Sequence, residues 1–157
     1  MIKYFIDKWN KNQKHLKSVI ENSGDLDKWD YIDIVKLVVD NILNHNLECS
    51  DYKFDSEQIT EINNGEYQGT LLYVIPVKTY QPNESEYIMT FVDYGSCSGC
   101  DTLQAIQSEY SWKQVDKSET VKDFMTLCKD LVCNMVKPYN TGWRKDDRFV
   151  ECKLDNE

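Results

Sequence analysis

The chain has 157 residues, of which 41% are hydrophobic and 29% are charged, as is typical of a soluble globular domain with one core. No apolar run approaches the ~20 residues that a membrane span requires, and no signal-peptide-like apolar stretch follows the first residues, so we expect a cytoplasmic protein without a membrane partner. The six cysteines are then predicted to be core residues, metal ligands or redox groups rather than a disulfide framework.

The net charge of −9 is concentrated in the middle third of the sequence. Residues 51–110 carry ten acidic and two basic side chains, whereas residues 1–50 have a net charge of −1 and residues 111–157 a net charge of 0. An acidic surface repels phosphate backbones, so we expect no direct nucleic-acid binding. It keeps a small protein soluble, and it would also attract a protein with a basic surface.

Two helices are predicted in the first third of the chain. Residues 2–21 place apolar side chains at helical spacing, although the polar run KNQKH leaves open that this segment is two short helices. Residues 27–46 form the stronger pattern, and their apolar positions are broad enough to predict burial on more than one side. Ser23 or Asp25 is the predicted cap of this second helix.

Three strands are predicted next, over residues 59–62, 67–78 and 86–93. The Asn-Gly pair that ends at Gly65 predicts a tight turn with positive φ between the first two. Pro76 cannot donate to a ladder, so its end of the strand is expected at an edge or a bulge. The short polar loop after the second strand predicts an antiparallel hairpin.

The last third predicts two more helices. Residues 102–109 would form a short one, capped by Asp101 or Thr102, with Leu103 and Ile106 turned inward. Residues 110–115 alternate like a strand, residues 118–136 form a helix that Pro138 ends, and residues 148–153 could form a last strand. Cys128 lies on the apolar stripe of the long helix, which predicts a core position.

These elements predict a single α+β domain with a central antiparallel sheet and helices packed on one of its faces. Residues 1–48 would be the helical N-terminal part, residues 58–116 the sheet and a cysteine loop, and residues 118–157 the last helix and tail.

The cysteine loop is the strongest candidate site. It follows a predicted strand and precedes a predicted helix, and its candidate binding residues are Tyr94, Gly95, Ser96, Cys97, Ser98, Gly99, Cys100 and Asp101. A helix N-terminus stabilises a thiolate, and C-x-x-C spacing lets both sulfurs reach one metal ion. Three interpretations of this loop stay open.

The first interpretation is a metal site in which Cys97 and Cys100 bind zinc or an iron–sulfur cluster. A zinc site needs four ligands, and none of Cys49, Cys133, Cys152 and the two histidines shows ligand spacing. A second copy of the chain could supply the other pair, which would make the protein a homodimer.

The other two interpretations need no metal. The order strand, C-x-x-C, helix is typical of thiol–disulfide oxidoreductases, although neither Pro76 nor Pro138 is placed as their cis-proline. Alternatively, the loop is a tight structural turn with two small buried thiols. Such a turn could also be a docking site, although the structural interpretation does not require a binding role.

Few other residues indicate chemistry. His15 and His45 have no carboxylate, Ser or Cys partner nearby in the sequence and are predicted to be surface residues. Trp143, Arg144 and Lys145 could form an exposed recognition patch, or the tryptophan could simply be packed. The sequence contains no P-loop, no dinucleotide-binding glycine pattern and no hydrolase elbow at Ser96 or Ser98.

Two resemblances accompany these motifs. Residues 95–100, followed by Thr102 and Leu103, are similar to the cluster-binding loop of NifU C-terminal-type scaffold domains, which holds a cluster between two subunits; that family has proline where Asp101 stands. More broadly, residues 65–145 resemble a group of small uncharacterised proteins of tailed bacteriophages. The shared segments are residues 67–72, 80–82, 94–104, 137–140 and 142–143.

The broader resemblance implies a virus-encoded protein in the cytoplasm of an infected bacterium and assigns no catalytic residue. We therefore expect a non-enzymatic accessory protein that binds a host protein with a basic surface, in anti-defence (anti-CRISPR-like) activity or host takeover. The cysteine loop and the neighbouring hairpin are the expected docking surface. The alternatives are a zinc- or cluster-binding protein and a thiol–disulfide oxidoreductase.

Overall fold

The first element is one continuous 20-residue helix, α1 (Ile2–Glu21). The structure is a computed structural model, and it describes residues 2–112 and 116–137. The polar run KNQKH does not interrupt the helix, because its one buried residue, Asn12, is fully satisfied. The Asn12 side-chain amide donates to the carbonyl oxygens of Ile42 at 2.8 Å and of His45 at 3.0 Å.

The second helix, α2 (Tyr31–Val38), starts later than the sequence predicts and continues as a π-helical turn over Val39–Leu43. Its cap is neither Ser23 nor Asp25, so that prediction is wrong. Asp30 occupies the cap position, and its N–H donates to the carboxylate of Asp33 at 2.9 Å. The broad burial expected of this helix is confirmed.

The sheet has three antiparallel strands in the order β1 (Thr60–Asn63), β2 (Gly69–Pro76) and β3 (Tyr87–Tyr94). The predicted hairpin is therefore confirmed, with β2 as the central strand. Pro76 lies not in an edge strand but at the buried end of β2, where it is the last residue that pairs with β3.

The connection between β1 and β2 is a loop over residues 64–68 rather than a two-residue turn. No glycine in the described residues has positive φ, so the predicted conformation of Gly65 is wrong. The position nevertheless favours glycine, because a Cβ there would lie 2.1 Å from the carbonyl oxygen of Gln68. The Asn63 side chain accepts a hydrogen bond from the Gly65 N–H at 2.9 Å.

Two helices follow the sheet, α3 (Thr102–Trp112) and α4 (Lys117–Cys133). α3 includes residues 110–112, so the predicted strand is wrong for these three residues. Residues 113–115 lie outside the described part of the chain. α4 is capped by Asp116 and ends at Cys133. Pro138 and the predicted strand 148–153 lie outside the described residues. After α4, Val136 pairs with Met89 of β3 through two 2.8 Å backbone hydrogen bonds.

The core lies between the helices and one face of the sheet, which gives the α+β fold that the sequence predicts. The sheet contributes the alternate side chains Leu71, Tyr73, Ile75 and Ile88, all buried. Cys128 is completely buried in this core, as predicted, and burial raises the pKa of its thiol to about 12. Within residues 2–112 and 116–137, no helix has the length and hydropathy of a membrane span.

One buried ion pair fixes the segment after α2 to α1. The Lys8 side chain is 6% exposed, and its Nζ lies 2.5 Å from Oδ2 of Asp51. We expect Lys8→Met to lower the free energy of unfolding by about 2 kcal/mol, because it leaves a carboxylate largely removed from water without its cation. Urea denaturation would measure the loss.

The matched control is Lys11→Met, one turn along the same helix. Lys11 pairs with Glu48 at 2.7 Å, but the two side chains are 46% and 69% exposed. Exposed pairs contribute little, so this variant should unfold like the wild type. If Lys8→Met and Lys11→Met lowered the free energy of unfolding equally, burial would not be what makes the pair of Lys8 and Asp51 important.

Candidate functional site

The cysteine loop, residues 95–100, connects the end of β3 to the start of α3. The structure thus places Cys97 and Cys100 at the strand-to-helix corner that the sequence predicts. Both cysteines are exposed, as are Ser96, Ser98 and Gly99 between and beside them. The third interpretation predicts two thiols buried in the turn, and this part of it is therefore wrong.

Glycine is required at the entrance to this loop. A Cβ on the buried Gly95 would lie 2.4 Å from the carbonyl oxygen and 2.5 Å from Sγ of Cys100. These distances are far below van der Waals contact, and the oxygen belongs to the backbone. At Gly99 the nearest atom to such a Cβ is Sγ of Cys97 at 3.8 Å, an ordinary contact. The corner closes because Gly95 has no side chain.

Asp101 fixes the strand-to-helix corner by hydrogen bonds. Its carboxylate is buried, and it accepts hydrogen bonds from the N–H of Gly95 at 3.1 Å, from the N–H of Gln104 at 2.9 Å and from the hydroxyl of Tyr31 at 3.1 Å. The same Tyr31 oxygen accepts from the N–H of Leu103 at 3.1 Å. Burial raises the pKa of Tyr31, which keeps its hydroxyl protonated as a donor. Asp101 thus joins the loop, α3 and α2.

The two loop sulfurs are in direct contact. Sγ of Cys97 and Sγ of Cys100 are 3.0 Å apart, and the Cys97 N–H donates to the Cys100 sulfur at 3.3 Å. The Cys100 N–H closes the turn on the carbonyl oxygen of Cys97 at 2.9 Å. Hydrogen bonds from the Cys97 side chain, then from its backbone, lower the pKa of the Cys100 thiol. The loop is a preformed pair of thiols.

The metal interpretation receives two ligands from this arrangement. Among the described residues, no group of three or more His, Cys, Asp or Glu side chains is close enough to hold a metal ion. A four-ligand zinc or iron–sulfur site at Cys97 and Cys100 would need donors from a second copy of the chain or from residues not described, such as Cys152. Metal binding and a homodimer stay predictions.

The outer face of the hairpin is the second feature of this region. Opposite residues of an antiparallel pair point to the same side, and the register aligns Ile62, Leu72 and Phe91 in one row across the three strands. We call these three residues the apolar row. Ile62 is 49% and Phe91 is 41% exposed, and Leu72 is half-buried. The row lies opposite the core face of the sheet, open to solvent.

The two histidines, which the sequence predicts to be unrelated surface residues, are stacked on each other. The rings of His15 and His45 are parallel within 3°, with centroids 3.7 Å apart, and Nε2 of His15 lies 3.1 Å from the side-chain oxygen of Asn41. Two stacked rings present no converging lone pairs to a metal ion. Nothing in the sequence signals this pair, because its members are on α1 and in the segment after α2.

The stacked pair predicts that stability falls at mildly acidic pH. Desolvation, then the charges of His15 and Lys8, lower the pKa of His45 from 6.5. The unfolded chain therefore binds this proton more readily, so the stabilisation is complete above about pH 6.5 and is lost as pH falls from there through the folded-state pKa. Urea midpoints between about pH 7.5 and 5 would measure this, and His45→Gln should flatten the profile. An unchanged slope in that variant would contradict the assignment.

A cavity of about 260 Å³ opens between the first turn of α1, residues 50–54 and the base of the hairpin. Its lining includes several aromatic side chains, among them Tyr52 and Tyr87, together with Lys137. The hydroxyl of Tyr4, which also lines it, is buried and has no hydrogen-bond partner, and burial is the main cause that raises its pKa to about 12. The sequence gives no signal for this cavity.

The predicted patch at Trp143, Arg144 and Lys145 lies outside the described residues. No protein-family model matches the chain, and no curated protein and no solved structure matches it significantly.

Proposed function

We propose that the protein is a phage-encoded, non-enzymatic accessory protein that binds a host protein with a basic surface in the cytoplasm of the infected bacterium. The target belongs to host defence or transcription. The contact surface is the outer face of the hairpin together with the adjoining cysteine loop. One observation carries the proposal: an open apolar row crosses the sheet within the most acidic part of the chain.

The apolar row has the composition of a docking surface. Large apolar side chains on a sheet face are normally covered, and an exposed group rimmed by polar residues is typical of an interaction site. Within the described part of the chain, Ile62 and Phe91 are two of only six large hydrophobic residues that are prominently exposed. Aromatic anchors such as Phe91 supply much of the affinity where they enter a pocket on a partner.

The charge of this part of the chain favours a basic partner, and one of its carboxylates lies beside the row. Residues 51–110 hold ten carboxylates and only two cations, Lys53 and Lys78. Asp93 lies on the same face of the sheet as Phe91, two residues along β3, and is exposed. A partner that presents an apolar side chain flanked by lysine or arginine would be complementary in both respects, and the long-range field would accelerate the encounter.

The viral setting rests on the resemblance of residues 65–145 to small proteins of tailed bacteriophages. The docking surface itself is argued independently of that resemblance, from exposure and charge alone.

Site-specific photo-crosslinking would test the surface. p-Benzoylphenylalanine would replace Phe91 in the row and, as a matched control, Tyr80, a fully exposed aromatic residue in the loop between β2 and β3. We expect one basic bacterial protein to be crosslinked from position 91 and not from position 80. That protein would then be purified and its affinity measured directly.

In the direct measurement, Phe91→Asp and Ile62→Asp should each weaken binding about tenfold or more, and Tyr80→Asp should not. Added salt should slow association. Thermal melting would confirm that the variants are folded. The proposal is wrong if position 91 yields no crosslink, if positions 80 and 91 yield the same ones, or if the captured protein binds both row variants normally.

A further inference from the structure

We propose that Cys97 and Cys100 form a surface dithiol that carries out thiol–disulfide exchange, with Cys100 as the attacking sulfur. The cysteine loop also borders the docking surface proposed above, but this activity depends on the two sulfurs and not on the apolar row.

The distance between the sulfurs is short enough for a disulfide to form after a small rotation of the side chains. Two thiolates on one tetrahedral zinc ion, each bound at ~2.3 Å, would lie ~3.8 Å apart, whereas a disulfide bond is ~2.05 Å long. The observed separation of 3.0 Å lies between these two values, so the present conformation is neither a shared zinc site nor a disulfide. Bond formation needs the sulfurs to approach by about 1 Å, which rotation of two exposed side chains can provide.

The other described cysteines lack this arrangement. Cys128 is completely buried, Cys133 is half-buried, and Cys49 is exposed in the segment after α2. Exchange requires a thiolate that an external disulfide can reach. The loop offers two reachable sulfurs in contact with each other.

The surroundings distinguish the two sulfurs. Cys100 Sγ accepts the N–H of Cys97 at 3.3 Å, lies 3.0 Å from the Cys97 sulfur, and donates its own proton to the carbonyl oxygen of Cys97 at 3.3 Å. Once that proton is lost, the N–H and the thiol of Cys97 can both donate to the Cys100 thiolate. In the exchange, the Cys100 thiolate therefore attacks first.

The step is balanced with a disulfide such as glutathione disulfide as the oxidant. The Cys100 thiolate attacks one sulfur of the external disulfide and forms a mixed disulfide with it. The external S–S bond breaks, and the leaving thiolate takes up a proton. Cys97 then loses its proton to solvent and attacks the Cys100 sulfur, and the second external thiol leaves. One external disulfide gains two electrons and two protons, and the loop gains one disulfide bond.

The test uses the purified full chain in glutathione redox buffers, with free thiols alkylated and bonds mapped by mass spectrometry. We expect one intramolecular disulfide that joins Cys97 to Cys100. Cys97→Ser should stop at a stable mixed disulfide between glutathione and Cys100. In Cys100→Ser, the remaining Cys97 should react several-fold more slowly, at a rate close to that of Cys49. Phe91→Asp should leave all of this unchanged.

Several results would overturn the inference. These are an oxidised chain in which Cys97 and Cys100 are not joined, equal reaction rates in the two serine variants, or thiols that become reactive only after a chelator removes a bound metal. Because both side chains are exposed, the serine variants should fold, and circular dichroism would verify this. A negative result here leaves the docking experiment unaffected.

Discussion

Replacing Gly95 by alanine is expected to destabilise the protein by about 3 kcal/mol, because the added Cβ has no space. It would lie 2.4 Å from the backbone oxygen and 2.5 Å from the sulfur of Cys100. A side chain could rotate away, but a carbonyl can retreat only if the whole loop moves. The Gly95 N–H would then also lose its bond to Asp101. Urea denaturation with the wild type as reference would measure the effect.

Gly99→Ala is the matched control within the same loop. Its Cβ would meet only Sγ of Cys97, at 3.8 Å, so stability should change by less than about 0.5 kcal/mol. The two variants should also differ in chemistry: displacement of Cys100 by Gly95→Ala should slow disulfide formation, whereas Gly99→Ala should not. Equal stability of the two variants would mean that the corner is not closed as described.

Asp101→Ala is expected to cost about 4 kcal/mol, the largest effect of any single polar substitution in this region. It removes the acceptor of three donors, the N–H groups of Gly95 and Gln104 and the hydroxyl of Tyr31. Each buried donor left without a partner costs about 1–3 kcal/mol, and water that enters the vacated space offsets part of the sum.

Asp116→Ala is the control for the capping part of this effect. Asp116 caps α4 as Asp101 caps α3, but it is exposed and its donors can bind water instead. Asp116→Ala should therefore lower the stability of the protein clearly less than Asp101→Ala does. Tyr31→Phe removes one of the three donors to Asp101 and should fall between the two. An Asp101→Ala variant no less stable than Asp116→Ala would contradict the bridging role of Asp101.

The local part of the candidate site could be predicted from the sequence. A β-rich run, two glycines around C-x-x-C and a capping aspartate followed by Leu103 and Ile106 define a strand, a tight corner and a helix by short-range rules. Such rules act over a few residues, and the structure confirms the corner, the cap and the buried side of α3.

The tertiary part could not be predicted. Tyr31 and Asp101 are 70 positions apart, and nothing in either segment indicates that they share a hydrogen bond. The stacking of His15 on His45 and the cavity beside Tyr4 likewise depend on how α1 lies against the segment after α2. These features follow from packing, which a one-dimensional pattern does not contain.

Two helix ends were misplaced for identifiable reasons. The predicted caps of α2, Ser23 and Asp25, lie too early, because a 3-10 turn over Leu26–Lys28 precedes the helix and Asp30 follows that turn as the cap. Residues 110–112 alternate in polarity, yet they continue α3, because a helix already started by Asp101 adds each further residue at low cost.

The packing of α1 against α4 determines when the chain can complete its fold during synthesis. The apolar side of α1, which includes Phe5, Trp9, Leu16 and Ile20, emerges from the ribosome long before α4, which ends at residue 133. The turn over Val39–Leu43 can pack on α1 early, but more than a hundred residues separate the end of α1 from the end of α4. The hairpin of β2 and β3 is local and can pair early, whereas the part of α1 that packs on α4 stays exposed to chaperones and to aggregation until α4 has been synthesised.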